Sequence, residues 1–110
     1  MQRFEGALAS NETLRVLDLS HNCIGPKGAL SLATAIKANR GLHTLRLGHN
    51  GISDAGLAAL LDACKGNTTL EELDLQANNI GAAGITALIA FVKAGGGGLK
   101  RLGLRLVGIP

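Results

Sequence analysis

The sequence of 110 residues is poor in several features that common function classes need. It has two Phe and no Trp or Tyr, so aromatic platforms for stacking nucleic-acid bases are nearly absent. No run of 18 apolar residues occurs, and residues 1–5 do not lead into the apolar region of a secretion signal. We therefore expect a soluble, intracellular protein in the cytoplasm, or in a cytoskeletal, ciliary or organellar assembly, with no nucleic-acid or membrane partner.

Cysteines and runs of like charge are also scarce. The two cysteines, Cys23 and Cys64, lie at different places in the pattern described below, so we expect no disulfide. The formal net charge of +3 is mild, and no block of basic residues points to a polyanion. With 46% hydrophobic residues and almost no aromatics, the interior has to be built from Leu, Ile, Val and Ala.

What the sequence does contain is a repeat of 28 residues. Three leucines, an Asn, an Ile and a Gly recur in order at Leu14, Leu17, Leu19, Asn22, Ile24 and Gly28, then at Leu42, Leu45, Leu47, Asn50, Ile52 and Gly56, then at Leu70, Leu73, Leu75, Asn78, Ile80 and Gly84. A fourth copy begins at Leu99 but has Val107 in place of the Asn. One such unit cannot bury its apolar faces alone, so stacked units must share a core. We expect a single domain over 1–110: a partial repeat helix at 1–13, complete repeats at 14–41, 42–69 and 70–98, and a truncated repeat at 99–110.

Each unit combines two periodicities. Alternation around Leu17 and Leu19 predicts a short strand with its leucines inward. After each repeat's Gly, apolar residues at the first, fourth, fifth and eighth positions predict one face of a helix, which would place Cys64 in the core. We expect this helix to begin at the Gly, with Asp54 as the cap of the second one and Ser53 as its rival. Four glycines at 95–98 lengthen the third unit to 29 residues.

The pattern L-x-x-L-x-L-x-x-N-x-I with a following Gly and helix resembles the leucine-rich repeat of the ribonuclease-inhibitor type. The resemblance implies an α/β fold: a right-handed solenoid in a horseshoe arc, with short parallel strands on the concave side and helices on the convex side. It also implies that the recurring Asn turns its amide inward to bond backbone groups of the turn and of the neighbouring repeat. The class is shared by ribonuclease inhibitor, NOD-like receptors, Ran GTPase-activating proteins and cytoskeletal or ciliary scaffolds.

Parallel stacking would place equivalent outward residues side by side in rows across the concave surface. One row, Asp18, Arg46 and Asp74, alternates in sign and could link the strands. Mixed polarity favours a protein partner over a polyanion. We therefore expect a non-catalytic protein-protein interaction or scaffold module, with partner contacts at Arg46, His49, Glu72, Asp74, Gln76, Arg101 and Arg105.

Two other functions are open at this point. Resemblance to Ran GTPase-activating proteins would make the chain a regulator of a GTPase, with Arg15, Arg40 or Arg46 supplied to the active site. Alternatively, because neither end carries a polar cap, further repeats or neighbouring subunits would cover the ends of a structural subunit in a large ciliary or organellar assembly.

Residues suited to catalysis or metal binding do not form a known pattern. His21, His49, His43 and Cys23 come near one another in the repeat but lack metal-ligand spacing, so no metal site and no cofactor are predicted. Glu71 and Glu72 are adjacent in a strand and would point in different directions, and the pair Ser20 and His21 has no third member. The sequence thus predicts no enzyme.

Overall fold

Four short parallel strands in one sheet alternate with four helices in the computed structural model, which describes residues 2–104, without the side chains of residues 2 and 3. The order is α1 (Gln2–Ser10), β1 (Val16–Asp18), α2 (Gly25–Ala38), β2 (Thr44–Arg46), α3 (Ser53–Gly66), β3 (Glu72–Asp74), α4 (Ala82–Lys93) and β4 (Arg101–Gly103). The strands lie in chain order, and the pairing brings Leu17, Leu45, Leu73 and Leu102 into one line. The predicted α/β solenoid is confirmed.

The strand leucines point into the core as predicted. Leu45 and Leu73, on the two central strands, are fully buried, whereas Leu17 and Leu102, on the outer strands, are only partly buried. The predicted helix faces of α2 and α3 are buried too, and burial raises the pKa of the Cys64 thiol to about 12 because a thiolate is poorly solvated there. Cys64 therefore behaves as a small hydrophobic residue.

Helix α4 departs from this prediction. Its equivalent residues Ile89 and Val92 are 50% and 62% exposed, while Phe91 is buried. In the inner repeats a further helix packs alongside, α3 on α2 and α4 on α3, whereas within residues 2–104 no helix follows α4. The apolar pattern alone is not enough to bury a face; a neighbouring repeat is needed as well.

The inward asparagines of the turn are confirmed. Asn50 and Asn78 are 2% and 0% exposed, and each Oδ1 accepts hydrogen bonds from two backbone N–H groups of the preceding repeat. Their Nδ2 groups donate to backbone carbonyls on both sides of the interface, for example from Asn78 to the oxygens of Leu47 and Leu75. Asn22 is exposed, and among residues 2–104 its amide donates only within its own turn. We call this series the turn ladder.

A second asparagine series, which the sequence reasoning missed, lies at the other end of each strand. Asn11, Asn39 and Asn67 are also 28 residues apart, and each Oδ1 accepts the N–H of the leucine three residues later at 2.6 to 2.8 Å. The Nδ2 groups of the buried members Asn39 and Asn67 donate to carbonyls of the preceding repeat at 2.7 to 3.0 Å. We call this series the entry ladder, because it holds the chain where it enters each strand.

The entry ladder does not continue into the third repeat, where residues 95–98 are glycines. There the Gly96 carbonyl takes the place of an asparagine Oδ1 and accepts the N–H of Leu99 at 3.1 Å. Gly95, Gly96 and Gly97 all have positive φ angles, and a Cβ on Gly97 would lie 2.7 Å from the Cys64 oxygen. The glycines are therefore required by a left-handed path that passes close to the neighbouring backbone.

The positions at which the helices begin differ from two expectations. Helix α2 begins at Gly25, three residues before the recurring Gly, and neither Ser53 nor Asp54 caps α3, which follows Ile52 without a side-chain cap. Instead, the Asp54 carboxylate accepts the N–H of Gly81, the residue before α4, at 2.6 Å. Asp54 therefore accepts a hydrogen bond from a free backbone N–H at the start of the neighbouring helix, because stacking places successive helix N-termini side by side.

Candidate protein-interaction surface

The outward residues of the two central strands are polar, and the outer strands add both polar residues and the exposed Val16. Strand register places Thr44, Glu72 and Arg101 in one row and Asp18, Arg46 and Asp74 in the next. Glu72, Asp74 and Arg46 are half-buried, and Arg101 is exposed on the outer strand. Of the seven predicted contact residues, six lie in the described part of the chain and Arg105 lies outside it.

Two ion pairs join β3 to β4. The Arg101 Nη1 lies 3.1 Å from the Glu72 Oε1, and the Lys100 Nζ lies 3.6 Å from the Glu71 Oε2. The cations are the more exposed members, at 80% for Arg101 and 72% for Lys100. Exposed pairs of this kind contribute about 0 to 1 kcal/mol each, so a partner's charged groups can displace them at little cost.

The row of alternating charge does not link the strands by ion pairs. Within residues 2–104, no oxygen of Asp18 or Asp74 lies within 4 Å of the Arg46 guanidinium. Each aspartate instead accepts a backbone N–H two residues further on, Asp18 from Ser20 at 2.9 Å and Asp74 from Gln76 at 3.1 Å. A short carboxylate side chain reaches this local amide readily. The hydrogen bonds from Ser20 lower the pKa of Asp18, and the Arg46 charge lowers it to a smaller degree.

Arg46 is consequently the arginine with the most available donors among the three considered for a GTPase role. The Arg15 Nη1 donates to the Gly41 oxygen at 2.7 Å. The Arg40 Nη1 donates to the oxygens of Lys37 and Asn39 at 2.8 and 2.9 Å. The Arg46 guanidinium makes no hydrogen bond to any residue in the described part of the chain. A half-buried guanidinium of this kind is suited to a carboxylate from another molecule.

Four of the predicted contact residues line one cavity of about 390 Å³. They are Glu72, Asp74, Gln76 and Arg101, and Leu102 and Gly103 complete the lining. A second cavity of about 210 Å³ is lined by His43, Thr44, Glu71, Glu72, Lys100 and Arg101. Glu72 and Arg101, which form an ion pair, line both cavities. Arg46 and His49 do not line either cavity.

His49 lies at the turn after β2, where its ring stacks on that of His21. The ring centroids are 4.3 Å apart and the planes differ by 11°. Sequence reasoning placed these histidines in adjacent repeats, but it did not anticipate the stack. Both residues are exposed.

Metal clusters and membrane helices are absent from the described residues. No group of three or more His, Cys, Asp or Glu side chains within residues 2–104 has the arrangement of a metal site. No helix in the same range is long and apolar enough to cross a bilayer.

Comparisons with known proteins show which family has this architecture. A family model described as "Leucine Rich repeat" matches residues 10–33, 38–61 and 66–88. No curated protein matches the sequence. Among solved structures, the chain is similar to "Leiomodin-1 Actin-Binding Site 2 (ABS2)", with 27% identity and a TM-score of 0.86 over 94% of this chain. The chain spans 61% of that structure's length. Because the three matched segments cover more than half of the sequence and coincide with successive repeats, the chain belongs to the leucine-rich repeat family.

Proposed function

We propose that this chain is a non-catalytic protein-protein interaction module that presents its concave strand surface as a rigid template. The observation that supports this most directly is the position of the polar residues on paired strands. Behind these strands lie fully buried leucines and the two asparagine ladders. Because the backbone under the surface is held in place before contact, binding requires little additional ordering.

Actin is the partner that we propose to test first. The similar structure is named as an actin-binding site of leiomodin-1, and its 27% identity and TM-score of 0.86 support a related surface here. The concave face of this chain carries both acids and bases, as in Glu72 and Arg101, which favours a folded protein with its own charge pattern over a nucleic acid. This proposal gives the chain a cytoskeletal setting.

Arg46 is proposed as the central anchor of the surface. It lies on β2, one of the two central strands, is half-buried, and has donors that no described residue uses. Arginine is enriched among residues that dominate interface energetics, particularly near the centre of an interface. Glu72, Asp74, Gln76 and Arg101 would surround this anchor on one side and His49 on another, and Arg105 stays a prediction for the segment outside the described residues.

Co-sedimentation with filamentous actin, and gel filtration with monomeric actin, test the proposal. Arg46→Ala should weaken binding by about fivefold or more, which corresponds to the loss of at least about 1 kcal/mol at a hot spot. Lys27→Ala is the matched control, because Lys27 is an exposed cation on α2, on the helix side. The buffer should contain EDTA together with MgCl₂ in excess, so that actin keeps its divalent cation while the chelator still removes Zn²⁺. If the wild-type chain binds neither form of actin, the choice of actin is wrong; if both variants weaken binding equally, the choice of the concave surface is wrong.

Exposed apolar residues at the ends support a second candidate, a structural subunit held by its neighbours. Ile89 and Val92 on α4 are 50% and 62% exposed, and Phe4 on α1 is 37% exposed. Such residues would pack against another repeat or subunit. Ile89→Asp separates the two candidates: loss of partner binding in this variant, with Arg46→Ala unaffected, would assign binding to the end of the solenoid.

If the chain regulates a GTPase, Arg46 is the arginine that we propose to act in this role, because Arg15 and Arg40 donate hydrogen bonds to backbone carbonyls. Stimulation of GTP hydrolysis that disappears in Arg46→Ala would support this role. An unchanged hydrolysis rate with the wild-type chain would remove it.

A further inference from the structure

We infer that His21 and His49 form a two-histidine site for a divalent first-row transition metal such as Zn²⁺. The two residues occupy the same position in successive repeats, directly before the asparagines of the turn ladder. Both have a left-handed backbone, with φ of 60° for His21 and 56° for His49. The similar φ angles in adjacent turns are consistent with two side chains that leave the backbone in the same direction, as the stacked rings do.

The backbone under this pair is fixed by the sheet. The N–H of His21 donates to the Gly48 oxygen at 3.0 Å, and the N–H of His49 donates to the Gln76 oxygen at 3.0 Å. The buried amides of Asn50 and Asn78 hold the following turns in register. The two histidines are therefore held side by side before any ligand arrives, which reduces the ordering required for a metal to bind.

The imidazole rings are available as ligands. Neither ring makes a side-chain hydrogen bond to another residue within 2–104, and both residues are exposed. With Zn–N distances of about 2.0 to 2.1 Å and tetrahedral geometry, the two ligating nitrogens should be about 3.3 Å apart. The ring centroids are now 4.3 Å apart and nearly parallel. Because a metal lies in the plane of each ring that binds it, the exposed rings would tilt toward each other on binding.

The site would have two protein ligands, and the remaining positions would be open. The next repeat has Ala77 at the equivalent position, which supplies no ligand. The Asp18 carboxylate is engaged with the Ser20 N–H, and Cys23 lines a separate cavity with Phe4 at the end of the solenoid. Water would complete the coordination shell, as it does in zinc sites with an open position. Imidazole ligands favour Zn²⁺, Ni²⁺ or Cu²⁺ over Mg²⁺, which prefers oxygen.

Titration with ZnCl₂ tests the site, with imidazole proton signals followed by NMR and affinity measured by calorimetry. Zn²⁺ should shift the signals of His21 and His49 together and leave those of His43 unchanged, while Mg²⁺ at the same concentration shifts none. His21→Asn and His49→Asn should each weaken binding by at least about tenfold, since the loss of even an outer-shell partner has an effect of about that size. Asn is chosen because it tolerates the left-handed backbone.

His43→Asn is the matched control, because His43 is the third histidine and lies exposed before β2. Its affinity for Zn²⁺ should equal that of the wild type. Absence of wild-type binding at about 1 mM Zn²⁺, or equal effects of all three substitutions, would overturn the inference. The NMR assignment in the wild type decides the question even if a variant is unstable. Since actin binding is measured in EDTA, its outcome is independent of this site.

Discussion

Replacement of Asn78 by Ala should destabilise the fold far more than the same replacement at Asn22. Asn78 is fully buried, and its Oδ1 is the side-chain acceptor for the N–H groups of Asn50 at 2.9 Å and Ile52 at 3.2 Å. Both of these residues are themselves buried, so water cannot readily replace the lost acceptor. Each buried N–H left without a partner costs about 1 to 3 kcal/mol, which gives about 2 to 6 kcal/mol for the two.

Asn22 provides the control because it has the same place in its repeat, while residues 2–13 contain no equivalent turn for it to support. It is exposed, and in the described part of the chain its amide donates only to the carbonyls of Leu19 and Ser20. Asn22→Ala should therefore lower the free energy of unfolding by about 0.5 to 1.5 kcal/mol. Urea denaturation followed by circular dichroism measures both variants. If the two differ by less than about 0.5 kcal/mol, the buried hydrogen bonds of the turn ladder do not hold the repeats together.

Three further predictions concern packing and thiol chemistry. Leu73→Ala should destabilise by about 2 to 5 kcal/mol in the same urea assay, the usual range for a buried leucine; a value under about 0.5 would mean that the strand face is assigned backwards. Gly84→Ala should lower stability by about 1 to 3 kcal/mol, because the new Cβ would lie 2.5 Å from the Asp54 Oδ1; an unchanged melting temperature would contradict this contact. A disulfide reagent at about pH 8 should modify Cys23 rapidly and Cys64 only after unfolding, because burial raises the pKa of Cys64 to about 12; rapid loss of both thiols would refute it.

The sequence was sufficient to predict the features that repeat locally. The spacing of Leu17, Leu45 and Leu73 predicts the strand register, and the recurring asparagine of the turn predicts the inward amides of Asn50 and Asn78, because both follow from the constant length of the units. The entry ladder was equally visible, since Asn11, Asn39 and Asn67 each precede the first leucine of a repeat by three residues. It was missed because asparagines before a strand are also common in ordinary turns.

Features that depend on a neighbouring repeat were harder to predict. Asp54 suggests a cap for its own helix, but its partner is the N–H of Gly81, 27 residues further along the chain. The same limitation applies to α4, where the spacing of Ile89 and Val92 is typical of a buried face although both are exposed.

In the candidate interaction surface, residue type and strand register were enough to predict where each side chain lies. They did not predict which groups each side chain bonds to. Arg46 does lie between Asp18 and Asp74, as the repeat requires, but each aspartate bonds to a nearby backbone amide that sequence charge cannot reveal. The stack of His21 on His49 also depends on a left-handed backbone conformation that the spacing alone does not specify.

The entry ladder also determines where this chain tolerates a change of length. An inserted residue near Asn39 or Asn67 would move a buried amide away from its carbonyl partners in the adjacent coil. The loop at 95–98 has no such side chain to misplace, and it already carries the one additional residue of the third unit. A short epitope tag could therefore be inserted at Gly95, where an added side chain would meet nothing within 4 Å, provided that Gly97 keeps its close approach to the Cys64 oxygen.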